Sequence, residues 1–255
     1  MATETAADLA ASFGDPRGLL VVLDFDGTLS PIVDDPDDAA LAPGAYEAVQ
    51  RLVAVTDVAV LSGRHLDDLA PRVEDLPVLL LGGHGTEVAE ADGTRQSFVD
   101  LDERRPALDR LEADLDELLD PSDGWFVERK PASIAVHHRR VDDPDRDGLL
   151  TRVRERMNGT DGDWELLDGK AVTELRPAGV DKGTAIAWLA DRHPDRDLLV
   201  VGDDVTDEDA FRAARQRGGR AILVGAPERQ TAAEHRLDGP EDVVAFLDAL
   251  AAAGA

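Results

Sequence analysis

Short aliphatic runs without polar alternation punctuate the chain, and each ends in a cluster of small or polar residues. Leu19–Leu23 leads into Asp24-Phe25-Asp26-Gly27-Thr28, Val58–Leu61 into Ser62-Gly63-Arg64, and Val78–Leu81 into Gly82-Gly83-His84-Gly85. Leu198–Val201 leads into Gly202-Asp203-Asp204, and Ala221–Val224 into Gly225. Such runs predict strands buried on both faces, hence a parallel sheet covered by helices. Helical spacing lies between them, at Ala45–Val53, Lys182–Asp191, Asp207–Arg217 and Glu241–Ala251, and Asp181 is placed to cap the second of these. The alternation predicts an α/β fold with a doubly wound, Rossmann-like parallel sheet, whose ligands sit beyond the carboxyl ends of the strands. The polar clusters fall at those ends.

Between His84 and Asp181 the pattern changes. Residues 103–120 predict one amphipathic helix, with Leu108, Leu111, Leu115, Leu118 and Leu119 at helical spacing. Trp125–Lys130, Ser133–His138 and Lys170–Arg176 alternate as half-exposed strands, and Asp147–Met157 is a second helix. Together they predict a smaller α+β domain at 102–177, inserted into a core made of 1–101 and 178–255. Trp125 and Trp164 are expected in its interior. Of His137, His138 and Arg139, one is expected to face a cleft and the others solvent.

The charge narrows the function. Acidic residues number 54 against 27 basic ones, a formal charge of −27 over 255 residues, which excludes a nucleic-acid binder acting through a basic patch and disfavours an anionic membrane surface. The chain has no cysteine, so disulfides, thiolate metal sites and a cysteine nucleophile are excluded. No run approaches a membrane span, and Met1-Ala2-Thr3-Glu4-Thr5 lacks the features of a secretory signal, so a cytoplasmic protein is expected. Apart from Lys130, Lys170 and Lys182, every basic residue is arginine. Acid spread this evenly repels itself unless salt screens it, with a Debye length of about 3 Å at 1 M. A high-salt cytoplasm is the expectation, and the melting temperature should rise as KCl is added; full stability at low salt would contradict it.

Two clusters carry candidate chemistry. Asp24 and Asp26 leave a buried strand two positions apart, where their mutual repulsion favours either a shared proton or a bound cation. A carboxylate is already anionic at neutral pH and attacks phosphorus without a helper base. Alone, the pair fits an ordinary acidic turn equally well. The second cluster, Asp203-Asp204-Val205-Thr206-Asp207-Glu208-Asp209, is electrostatically costly without a cation, and its oxygen-only ligands favour Mg²⁺. Asp207, Glu208 and Asp209 also suit a first helical turn. Ser62 at a strand end and Lys182 at a helix start could hold phosphate oxygens, although each alone could be a cap or a surface charge.

The order of these features at successive strand ends resembles the haloacid-dehalogenase-like phosphatases. The resemblance implies Asp24 as nucleophile and Asp26 as general acid/base. It places Mg²⁺ on Asp24, Asp26 (through its backbone carbonyl) and Asp203, with Asp207 or Asp204 in support. It gives phosphoryl contacts to Ser62 and Lys182, and makes the insertion a cap that closes over substrate. Asp24-Phe25-Asp26-Gly27-Thr28-Leu29-Ser30-Pro31-Ile32, Ser62-Gly63-Arg64, His84-Gly85, Glu128-Arg129-Lys130, Gly179-Val180-Asp181-Lys182-Gly183 and Gly202 through Phe211 are together similar to the trehalose-6-phosphate phosphatases. Val205 and Arg129 depart from that family's usual pattern. The resemblance implies a small sugar phosphate as substrate, contacts to it from Phe25, Gly63, Arg64, His84, Glu128, Lys130 and Glu174, and pairing with a trehalose-phosphate synthase. Read from the residues alone, Glu128, Lys130 and Glu174 equally fit a solvated ion-pair face. The alternatives are a related phosphatase acting on sucrose 6-phosphate or mannosyl-phosphoglycerate, and a non-catalytic, cation-binding or regulatory acidic module.

Overall fold

A computed structural model describes residues 5–169, 171–225 and 229–255. Residues 1–4, read above as lacking a signal, and Lys170, expected to open a strand, lie outside these. The chain runs α1 (Ala6–Ser12), β1 (Leu19–Leu23), α2 (Ala45–Val53), β2 (Asp57–Leu61), α3 (Leu66–Arg72), β3 (Leu79–Gly82), β4 (Glu87–Ala89) and β5 (Arg95–Ser97). It continues through α4 (Leu101–Leu118), β6 (Phe126–Arg129), β7 (Ile134–His137), α5 (Arg146–Asn158), β8 (Trp164–Gly169) and β9 (Val172–Pro177). It ends with α6 (Lys182–Arg192), β10 (Asp197–Gly202), α7 (Asp207–Gln216), β11 (Arg220–Val224), β12 (His235–Leu237) and α8 (Pro240–Gly254). Among the described residues no helix is long and apolar enough to cross a membrane.

Two compact units result, one from the residues up to Gln96 with Asp181–Ala255, the other from Ser97–Val180. These limits lie a few residues outside 102–177. The Asp100 carboxylate caps α4 by accepting the Glu103 amide at 3.0 Å, which ties the preceding linker to the second unit.

In the first unit the sheet order is β12-β11-β10-β1-β2-β3-β4-β5, parallel from β12 to β3, with β4 antiparallel to β3. The aliphatic run of β1 is buried throughout because its two faces meet different helices. Leu19, Val21 and Leu23 pack with Leu9 of α1, Leu52 of α2 and Phe246 of α8, whereas Leu20 and Val22 pack with Ile186 of α6 and Phe211 of α7. Each such side chain contributes about 1.5–3 kcal/mol by leaving water.

The second unit is a four-stranded antiparallel sheet, β6-β7-β9-β8. The helices α4 and α5 cover one face, through Leu108, Leu111, Leu115, Val153 and Met157 against Ile134, Val136 and Leu175. Trp125 lies in this core and Trp164 packs against it, as expected. Strand β8 is a finding the sequence pattern conceals, because Leu166-Leu167 interrupts its alternation. His138 does not face solvent: it is buried, its ring lies 6.4 Å from that of Trp125, and its Nδ1 is 2.8 Å from the Arg146 guanidinium. Register places Glu128, Ala135 and Glu174 in one row on the face away from the helices.

Candidate active site

Strands β1 and β10 are neighbours, with Leu23 opposite Val201, and the Asp24 amide extends the ladder by donating to the Val201 carbonyl at 2.9 Å. The residues that follow each strand therefore emerge side by side. After Asp26 the chain turns at Gly27, whose φ is +83°, and the Gly27 amide donates to the Ser30 carbonyl at 2.7 Å. A Cβ on Gly27 would lie 2.2 Å from Asp203 Oδ2, so only glycine supplies both the left-handed backbone and the close approach.

Lys182 opens α6, where the Asp181 carboxylate accepts the Thr184 amide at 2.7 Å and Thr184 bonds back in a reciprocal cap. The Lys182 side chain is 3% exposed, and its ammonium donates to Asp24 Oδ1 at 2.7 Å and Asp207 Oδ1 at 2.6 Å. The other Asp207 oxygen accepts the Asp204 amide at 2.9 Å. Asp24, Asp203 and Asp207 each bring a carboxylate oxygen to within 4.8 Å of the others.

Three carboxylates crowd together here, and two of them share one ammonium. Burial pushes the Asp24 carboxyl well above its usual range; Lys182 opposes this, and Asp207 and Asp203 add to it. Burial, then the Asp207 and Asp204 charges, push Asp203 up to about 7. Burial works against the Lys182 ammonium, but Asp207 and Asp24 outweigh it and raise its pKa. Asp203 Oδ1 is buried without a hydrogen-bond partner. An unsatisfied carboxylate oxygen among oxygen-only ligands fits a hard divalent cation such as Mg²⁺.

Asp26 stands apart from this cluster. Both its oxygens accept from the Arg64 guanidinium, Oδ2 from Nε at 2.7 Å and Oδ1 from Nη2 at 2.8 Å. As a metal ligand Asp26 therefore has its backbone carbonyl to offer rather than its side chain. Arg64 also donates to Asp68 at 2.6 Å and to the Pro36 carbonyl at 3.0 Å, so most of its guanidinium donors are engaged within the protein. The Phe25 ring is fully buried in the core, because the alternation that presents Asp24 and Asp26 turns the intervening side chain inward, so the contact expected of Phe25 falls to its main chain rather than its ring.

Ser62 follows β2, and its oxygen accepts the Arg64 amide at 3.1 Å, which leaves the hydroxyl hydrogen to donate elsewhere. Gly63 lies against the buried His84, where a Cβ would meet the ring at 2.7 Å.

In the second unit the expected residues do meet. Lys130 Nζ lies 3.3 Å from Glu174 Oε1 and 3.9 Å from Glu128 Oε2. Sequence reasoning missed Ser133, which donates to Glu174 at 2.6 Å, and left open which of His137, His138 and Arg139 would turn inward; His137 Nε2 is 2.8 Å from Glu128 Oε2. The β6–β7 register, which sets His137 opposite Phe126 and so on the Glu128 face, is the signal that selects His137. Burial would raise the Glu128 carboxyl, but the His137 hydrogen bond and the Lys130 charge hold it below its usual range.

Comparison with known proteins identifies relatives over most of the chain. Trehalose-phosphate phosphatase of Mycobacterium bovis is 39% identical over 242 residues, covering 91% of this chain and 61% of the relative, and that of Mycobacterium marinum is 38% identical over 258 residues, covering 96% and 65%. The chain thus spans less than two thirds of these relatives. Among solved structures, a trehalose-6-phosphate phosphatase related protein superposes with a TM-score of 0.79 at 26% identity, over 92% of this chain and 98% of that one. The Aspergillus fumigatus trehalose-6-phosphate phosphatase gives 0.68 at 26% identity, over 98% and 99%. The family model for trehalose-phosphatase matches residues 22–241, a span that contains both acidic clusters, Ser62 and Lys182. The chain belongs to the trehalose-phosphatase family.

Proposed function

We propose that the chain is a magnesium-dependent phosphatase that hydrolyses trehalose 6-phosphate to trehalose and phosphate through an aspartyl-phosphate on Asp24. The observation that carries this reading is the close grouping of the Asp24, Asp203 and Asp207 carboxylates, with the Lys182 ammonium bonded to Asp24 and Asp207, at the carboxyl ends of two adjacent parallel strands. Family membership supports the substrate.

In the first step an Asp24 oxygen bonds to phosphorus, and the bond from phosphorus to the sugar oxygen breaks as Asp26 gives that oxygen a proton. In the second, Asp26 takes a proton from water, the water oxygen bonds to phosphorus, and the bond to Asp24 breaks. Both groups return to their starting forms. Lys182 and the Ser62 hydroxyl donate to phosphoryl oxygens. Asp24, Asp203 and the Asp26 carbonyl would hold Mg²⁺, with Asp207 as the supporting carboxylate because Lys182 and the Asp204 amide already engage its two oxygens. The cation, when bound, offsets the negative charge between the carboxylate and the phosphoryl group. Glu128, Lys130 and Glu174 recognise sugar hydroxyls, the glutamates accepting and the ammonium donating. A trehalose-phosphate synthase is the functional partner that would supply the substrate.

The test is phosphate release across a panel of sugar phosphates and p-nitrophenyl phosphate. Trehalose 6-phosphate should be the best substrate, and chelation should abolish turnover. Glu128→Ala should raise KM for trehalose 6-phosphate about tenfold or more, the effect of losing a hydrogen bond to a charged group, with little change for the aryl phosphate. Faster turnover of sucrose 6-phosphate or mannosyl-phosphoglycerate would move the substrate assignment. Turnover unaffected by chelator would overturn the metal role.

A further inference from the structure

The Asp26–Arg64 pair is the inner end of a longer chain of alternating charges. Asp68 gives one oxygen to Arg64, at 2.6 Å, and the other to Arg72, whose Nε and Nη2 donate at 3.0 and 2.7 Å. Arg72 then donates to the carbonyls of Asp37 and Ala39 at 3.0 and 2.7 Å. The two arginine side chains are only 12% and 14% exposed, so this is not a solvated surface pair. Burial would raise the Asp68 carboxyl, but its bonds to Arg72 and Arg64 hold it below its usual range.

Helix α3 is a firm mount for this chain of contacts. Leu66 and Leu69 anchor it in the core, the Leu66 amide donates to the buried Glu87 carboxylate at 2.9 Å, and His65 Nδ1 accepts the Asp68 amide at 3.3 Å. Asp68 and Arg72, four residues apart, share one helix face.

We propose that Asp68 and Arg72 are positioning residues that fix the Arg64 guanidinium, and through it the aim of the Asp26 carboxylate at the departing sugar oxygen. The inference rests on the reading of Asp26 as the general acid/base. The Arg64 fork uses one lone pair on each Asp26 oxygen and leaves the other of each for a proton. Without Asp68 the guanidinium keeps only the Asp26 fork and the Pro36 carbonyl, so its range of orientation widens and the carboxylate shifts with it. Displacements of about 1 Å are enough to cost up to about 100-fold in rate.

The discriminating measurement is kcat/KM for Asp68→Asn, since this constant reports the steps up to loss of the alcohol. Trehalose 6-phosphate has a poor leaving group that needs the proton, whereas p-nitrophenol leaves with little help. The expected result is a fall of about tenfold or more on trehalose 6-phosphate and less than about twofold on p-nitrophenyl phosphate. Arg72→Lys, which keeps the charge and loses the fork, should show a smaller loss with the same selectivity. If Asp68→Asn does not fold, Arg72→Gln is read in its place. An equal loss on both substrates, or no loss, overturns the proposal, because a purely structural anchor for the 36–39 loop would give one of those. Asp26→Asn is the control. If it lacks the selective loss, the acid/base reading falls and this inference with it. If it shows the loss and the Asp68 and Arg72 variants do not, only this inference falls.

Discussion

Asp24→Asn should lower phosphate release from trehalose 6-phosphate by at least about 10⁴-fold, the scale of losing a nucleophile. The amide keeps the shape of the carboxylate and one oxygen acceptor for Lys182, but it carries no negative charge and its nitrogen lone pair is delocalised into the carbonyl, so it is a poor nucleophile toward phosphorus. Stability should not suffer. The wild-type carboxyl is buried beside two others, and removing its charge relieves repulsion from Asp207 and Asp203. A variant with unchanged melting temperature and no turnover isolates the chemical role. Acid-quenched enzyme should carry labelled phosphate in the wild type and none in the variant; substantial turnover by purified Asp24→Asn would refute the nucleophile assignment.

Lys182→Met should damage both folding and activity. The ammonium lies 2.7 and 2.6 Å from two buried carboxylates, and methionine fills a comparable space without charge. Stripping one partner from a buried ion pair costs about 3–5 kcal/mol, because the remaining charges keep their desolvation penalty without compensation. For a chain of this size the melting temperature in chelator should drop on the order of 10 °C. Added Mg²⁺ should recover part of the loss, since a ligand of the native state stabilises it by mass action. An unchanged melting temperature in chelator would contradict the electrostatic role given to Lys182.

The legible parts of the fold were those with strong local signals. β1, β2, β3, β10 and β11 are aliphatic runs long enough to read, and Ala45–Val53 agrees at both ends. The seven-residue α1 and α3 and the three-residue β4, β5 and β12 hold too few positions for a period to emerge, and Pro71 further obscures α3. The carboxylate cluster was legible only from two acidic groups taken together, each directly after a buried strand, since either alone has an ordinary structural use. The engagement of Arg64 was not: Ser62-Gly63-Arg64 reads as an anion-binding loop, and nothing local reveals a carboxylate 38 positions away that occupies the guanidinium. The burial of the Phe25 ring was equally hard to read, since a position between two acidic residues at a strand end does not reveal which way its side chain turns.

The placement of β1 between β2 and β10 has a cost during synthesis. Lys182, which precedes β10, is 158 positions from Asp24. A ribosome adding about 5–20 residues per second needs on the order of 10–30 seconds to cover that distance. Throughout this interval the central strand of the nascent sheet, Leu-Leu-Val-Val-Leu, has its β10 edge bare, and an unpaired aliphatic edge is a template for pairing with a neighbouring chain. The same adjacency that brings two distant acidic clusters together thus makes the emerging polypeptide a client for whatever shields such edges in the cell.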